Sequence, residues 1–187
     1  TMLSYFSADL RRHGIEPAEN INWDHVPKDI TIVNDYFNNE SLYKAVGNTK
    51  VKAFTSCAMF YDLDDPNSFV QTVKNNLHDD GVFCIQLSYL VAMFRNVNFY
   101  DICNEHLEYY SLSTLNYLMQ NNGLEIFDAK ENAVNGGSVR VMVSHIGRYE
   151  KTAELQRLLE VEARLHLSDP QTYIAFHEKI MEFKNKI

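Results

Sequence analysis

Residues 103–111 read CNEHLEYYS and bring a thiol, an amide, two carboxylates, an imidazole, two phenols and a hydroxyl into nine positions. Of these groups His106 is the one best suited to move a proton, since an unperturbed imidazole titrates at about pH 6.5. Taken alone, the stretch has two readings. It is an active-site wall, or it is a polar loop that caps a helix starting at residue 111, with Ser111 as the N-cap.

Other reactive side chains give less. His13, His25, His78, His145, His166 and His177 show no HxH or HxxxH spacing with a third ligand, so no metal site is expected. Cys57, Cys84 and Cys103 stand far apart without paired spacing, which reads as reduced thiols in a cytoplasmic protein. The balance of 17 Lys+Arg against 25 Asp+Glu, net −8, forms no basic stripe, so nucleic acid is not an expected partner. The most apolar run, GVFCIQLSYLVAMF at 81–94, is interrupted by Gln86 and Ser88 and falls short of the roughly 20 residues a membrane span needs. With 187 residues that are 45% hydrophobic, the chain can bury the core of one domain, with room for a helical appendage.

The elements that would position these groups alternate. Strands are predicted within 10–17, 29–37, 50–61, 81–90, 124–132 and 138–145. Helices are predicted at 40–49, at 111–123, and from Asp64-Asp65-Pro66 up to a stop at Gly81, where Phe69, Val70, Val73 and Leu77 share one face. A helix of barely two turns fits within 17–26. TMLSYF reads as the end of a helical face, and the pattern from Tyr149 to Ile187 is helical, its second helix opened by Asp169-Pro170. This order predicts an α/β fold, a Rossmann-like, doubly wound and mostly parallel sheet at 1–147 followed by a helical segment at 148–187. Ligands gather at the C-terminal ends of such strands, where Glu16, Asp35, the 56–65 loop, Gln86, Ser88 and Tyr89 fall. Glu16 also reads as a turn acid capping 18–21, and Asp35 as a cap for a helix from Tyr36. Asn135-Gly136-Gly137-Ser138 is a turn that uses glycine's positive φ.

GIEPAENI (14–21), AMFYDLDDPNSFV (58–70), QLSYL (86–90), NEHLEYYSL (104–112) and NGGSVRVMV (135–143) carry, in this order, a resemblance to a known family. Together they resemble the class I S-adenosylmethionine-dependent methyltransferases that add a carbon-bound methyl to nucleotide-linked deoxysugars. The resemblance covers about residues 1–180. TMLSYF matches the helix after the family's Gly-rich loop, so the chain reads as truncated at both ends with the first strand of the sheet missing. Self-association through an exposed sheet edge is then expected.

The resemblance implies S-adenosylmethionine as cofactor and a nucleotide-sugar as small-molecule substrate. It makes Glu16 the acid for the cofactor's ribose hydroxyls and Asp35 a contact to the adenine amine. Phe60 and Tyr61 would lie against the sulfonium, with a core role under the following helix as the other reading for Phe60. His106 would be the general base for methylation beside a ketone, Glu105 its neighbouring acid, and Tyr109 a donor at the same centre. Gln86, Ser88, Tyr89, Tyr110 and Asn135 would meet the sugar or its diphosphate. Family members commonly carry Tyr and His where this chain has Cys103 and Asn104. Two alternatives stand beside this reading: a non-catalytic remnant or binding module that no longer holds the cofactor, and a methyltransferase of another small molecule.

Overall fold

The β-branched run ITIV forms β2 (Ile30–Val33), which pairs in parallel with β1 (Arg12–Ile15), Gly14 opposite Ile32. This is a computed structural model describing residues 2–185, and the chain divides between Val51 and Lys52 into two compact units. In the first unit α1 (Asn39–Val46) packs on both strands, opened by a capping box of Asn38 with Ser41 and closed by Gly47 at φ 62°. Arg12 is buried there. Its guanidinium donates to the carbonyls of Leu3 (3.2 Å) and Phe6 (3.0 Å) and pairs with Asp29, which ties the 3₁₀ turn Met2–Tyr5 to β1.

The second unit holds a four-stranded sheet in the order β3 (Val51–Cys57), β4 (Leu77–Ser88), β6 (Ser138–His145), β5 (Leu124–Asn132). β6 runs antiparallel to both neighbours, with Ile85 opposite Val141 and Ile126 opposite Val143, so β4 and β5 share one direction. The reversal follows from the 133–137 connection, because a parallel return needs a crossover of a dozen or more residues. Alternate residues of the strands, Phe83, Ile85 and Leu87, then Val139, Val141 and Val143, are buried, and so are Val70, Val73, Leu112, Leu115 and Met119. The latter belong to α2 (Pro66–Asn76) and α4 (Leu112–Asn121).

Three expectations need correction. Residues 17–26 form turns and no helix, with the Asn22 side chain accepting from Asp24 N (2.7 Å) and Val26 N donating to the Trp23 carbonyl (2.9 Å). α2 stops at Asn76 and β4 begins at Leu77, so Gly81 lies inside a strand; Leu77 satisfies both periods, and the inward alternation Leu77, Gly81, Phe83, Ile85 prevails. The strand then ends at Ser88, and Leu90–Asn96 is a helix, α3, within a run whose continuous apolarity hides the change of period.

C-terminal to the sheet, α5 (Ala153–Ala163) and α6 (Pro170–Lys184) meet the helical reading, with Thr152 and Asp169 as caps. The parts of those readings at Thr1 and at 186–187 lie outside the described residues. Phe94 of α3 stacks on Phe176 of α6 at 4.5 Å and meets Tyr173 edge-on. Among the described residues no helix is long and apolar enough to cross a membrane.

Glu162, on the face of α5 that also carries Leu155 and Leu158, is only 4% exposed. Its carboxylate accepts from Leu112 N, Ser113 N (2.9 Å), Ser113 Oγ (2.7 Å) and Tyr89 Oη (3.0 Å), so a negative charge from one helix sits on the amino end of another. Removing it strands several buried donors. Glu162→Ala is therefore expected to cost about 2–4 kcal/mol in urea unfolding, far more than Glu154→Ala on the exposed side of α5; equal effects would contradict this arrangement.

Candidate active site

The turn after β3 is drawn to the end of β4 by the Ala58 N–H, which donates to the Gln86 carbonyl (2.9 Å) from a left-handed backbone at φ 53°. Phe60 and Tyr61 follow in a 3₁₀ turn and part company. Phe60 is 0% exposed and packs on Phe69, Phe83 and Tyr110 at ring distances of 5.7, 6.3 and 5.6 Å, a core residue. Tyr61 offers its carbonyl to the N–H groups of Leu107 (2.9 Å) and Glu108 (3.1 Å). These two bonds fasten the CNEHLEYYS loop, and the His106 ring comes to rest 4.2 Å from the Tyr61 ring.

The capping reading of that loop holds, and the loop also lines a cleft. Ser111 caps α4 in a reciprocal pair with Thr114, and the residues before it wall a cleft at the C-terminal end of β4. Tyr61, Ser88, Asp101, His106 and Tyr109 line the cleft, with Leu90 and Met93 as apolar surface. Its enclosed part is about 10 Å³, room for one water, so a larger molecule would lie in the open mouth.

Burial sets the electrostatics. Desolvation raises the Asp101 carboxyl above its usual range while His106 pulls it down, and the same pair of effects acts on Asp62, with Glu105 adding a rise. The phenols of Tyr61 and Tyr109 are raised by burial, so both keep their protons at neutral pH and serve as donors. Tyr109 gives its proton to the Asp101 carbonyl at 3.4 Å, a long bond that is easily exchanged.

The remaining predicted positions are distributed as follows. Tyr89 lines the cleft, yet its hydroxyl is committed to Glu162; its phenol is raised far, by burial first and then by that carboxylate. Tyr110 is buried against Phe60. Glu105 is exposed on the loop, as are Cys103 and Asn104. Gln86 is half-buried, opposite Arg140 in the ladder, and does not line the cleft. Asn135 is exposed at φ 51°. Its turn is clamped. The Gly136 carbonyl accepts from Asn96 Nδ2 (2.8 Å) and Asn98 Nδ2 (2.7 Å), and the Gly137 carbonyl accepts from Tyr89 N (3.2 Å).

Glu16 and Asp35 belong to the first unit, at the C-terminal ends of its two parallel strands. Glu16 Oε1 accepts from Ala18 N (3.0 Å), as the turn-acid reading expects, and Asn34 Nδ2 bridges the carbonyls of Glu16 and Ala18. Asp35 takes Tyr36 N (2.8 Å) and Lys44 Nζ (3.2 Å), while the helix cap itself is Asn38. Sequence reasoning passed over Asp62, Asp101, Asn96 and Asn98. For Asp101 a signal existed, an acid set in the apolar stretch FYDI.

Residues 2–129 match the methyltransferase domain family, and residues 133–187 match the C-methyltransferase C-terminal domain. The C-methyltransferase NovU of Streptomyces niveus is 33% identical over 85 residues, 46% of this chain and 20% of that protein. The match thus spans a fifth of that relative's length. Among solved structures, a chain from the complex of the Haloferax volcanii Trm112 methyltransferase activator with a methyltransferase superposes with a TM-score of 0.55 at 11% identity, covering 72% of this chain and 73% of that one. The Burkholderia thailandensis 1,6-didemethyltoxoflavin-N1-methyltransferase gives 0.53 at 11% identity, over 72% and 60% of the two chains. At that identity the likeness establishes the Rossmann-like α/β fold alone.

The clamped turn can be tested directly. A Cβ at Gly137, where φ is 139°, would stand 2.5 Å from the Ala92 Cβ. Gly137→Ala should lose about 1–3 kcal/mol of stability in chemical denaturation; an unchanged midpoint would show that the turn is not held against α3.

Proposed function

The chain belongs to the methyltransferase domain family, whose methyl donor is S-adenosylmethionine, and from that premise we propose that it methylates a carbon of a nucleotide-linked keto-deoxysugar with His106 as general base. The observation that carries this reading is the cleft at the end of β4, where an imidazole lies against the Tyr61 ring with Ser88, Asp101 and Tyr109 around it. The match of the C-terminal region to a C-methyltransferase domain supports carbon as the acceptor.

Carbon beside a ketone is a poor nucleophile until its proton is removed. His106 takes that proton, and the electron pair moves to the carbonyl oxygen as an enolate. A phenol held protonated by burial then donates to the new oxyanion, a role for Tyr109 or Tyr61. Ser88 offers a hydroxyl to the sugar from the strand end, and Leu90 and Met93 keep water from the carbanion. With their hydroxyls committed or buried, Tyr89 and Tyr110 support the wall of the cleft.

When bound, S-adenosylmethionine supplies an electrophilic methyl group on a sulfonium. Glu16 suits its ribose, since a carboxylate fixed at a strand end by Ala18 N retains lone pairs for a vicinal diol. Asp35 is the second acid at that end of the parallel pair and shares its oxygens with Tyr36 N and Lys44.

Two measurements test this reading. Calorimetric titration with S-adenosylhomocysteine should give binding that Glu16→Ala weakens by about tenfold or more, a loss of about 1.4 kcal/mol; no binding to the folded chain would favour a module without turnover. His106→Gln should lower methyl transfer to a keto-deoxysugar nucleotide by about 10²–10⁴ and leave S-adenosylhomocysteine affinity unchanged, and full activity of that variant would exclude the base.

A further inference from the structure

We propose that Asp101 is the positioning residue of His106, its buried carboxylate accepting the imidazole N–H opposite the nitrogen that takes the substrate proton. The proposal rests on His106 acting as the base. Asp101 lies in the turn that leads into the CNEHLEYYS loop and is 7% exposed. Its main chain is used, with the N–H donating to the Asn98 carbonyl (3.2 Å) and the carbonyl accepting from Tyr109. Its side chain is not. Oδ2 is buried with no hydrogen-bond partner, although Asp101 lines the same cleft as His106 and the two groups are near enough for their charges to interact.

A buried carboxylate oxygen without a donor is costly, so one that persists beside a cleft calls for a donor that arrives during function. His106, in the same cleft, supplies such a donor when its ring gains a second proton. When the substrate's C–H proton passes to one ring nitrogen, the C–H electron pair leaves for the ketone oxygen and the ring becomes an imidazolium. Its other N–H then points a hydrogen bond at a carboxylate, so the new positive charge forms beside a negative one and the ring keeps one orientation.

The surroundings single out Asp101 among the acids. Tyr61 and Asp62 face His106 from the turn after β3, Asp101 from the preceding turn, and Cys103, Glu105, Glu108 and Tyr109 belong to its own loop. Asp62, Glu105 and Glu108 are exposed, where water and salt screen them, although Asp62 is partly desolvated. Of these acids Asp101 is the one that is buried.

The test is nitrogen NMR of the full chain, with the His106 signal identified by its loss in His106→Gln. In Asp101→Asn the ratio of the two His106 ring tautomers should change by about threefold or more, since the ring N–H loses its carboxylate acceptor. Asp62→Asn should move it less. An unaltered tautomer ratio in Asp101→Asn would overturn the proposal. If Asp101→Asn fails to fold, the reciprocal experiment decides, since the Asp101 carboxyl, followed by carbon NMR, should titrate higher in His106→Gln, and an unchanged value would also overturn it. Activity separates this from the premise. Asp101→Asn should reduce kcat more than it alters KM, whereas an active His106→Gln enzyme would refute the base and leave the NMR coupling to stand or fall separately.

Discussion

The buried carboxylate of Glu162 is the interaction on which the second unit depends. It stands where three elements meet, the end of β4 at Tyr89, the first turn of α4 at Leu112 and Ser113, and the last turn of α5. An ionised group so deeply placed is stable only because donors surround it and because a helix amino terminus is positive. The same bonds fix the cleft. Tyr89 begins α3 and lines the site, and α4 follows directly from the loop that carries His106. The helices after β6 are therefore part of the frame, a role the aromatic stack of Phe94 on Phe176 reinforces.

A second constraint acts on the loop itself. Segments rich in polar groups stay ordered near a core only when their main chain is satisfied. Here one carbonyl, that of Tyr61, takes two successive N–H groups of the loop, while Leu90 N takes the Tyr110 carbonyl at 3.1 Å. The loop is thus held at its middle and near its C-terminal end by main-chain bonds, which leaves the His106 and Tyr109 side chains free to face the cleft. This explains how a helix-capping segment and the wall of a cleft can be one stretch of chain.

The reversed strand β6 contributes in a different way. Because it returns through a tight turn, it carries Gly136 and Gly137 back against α3, where Asn96 and Asn98 hold one carbonyl between them. Side chains larger than hydrogen would prevent that approach.

By itself the sequence determined the alternation of strands and helices, the strands at 124–132 and 138–145, the caps at Asp65, Ser111 and Asp169, and the grouping of His106 with a set of proton donors. These are local properties, set by period, propensity and capping chemistry. Where two periods coexist, as at Leu77, or where apolarity is continuous, as at 81–94, the local signal was silent on boundaries and tertiary packing chose. The division of paired residues was also beyond it. Phe60 and Tyr61 are neighbours of similar chemistry, yet one is sealed in the core and the other faces the cleft. Tyr89 reads as a sugar donor until a glutamate 73 residues away claims its hydroxyl. Glu162 and Asp101 acquire meaning only from what surrounds them, since the cost of burying a carboxylate depends on donors brought by distant parts of the chain.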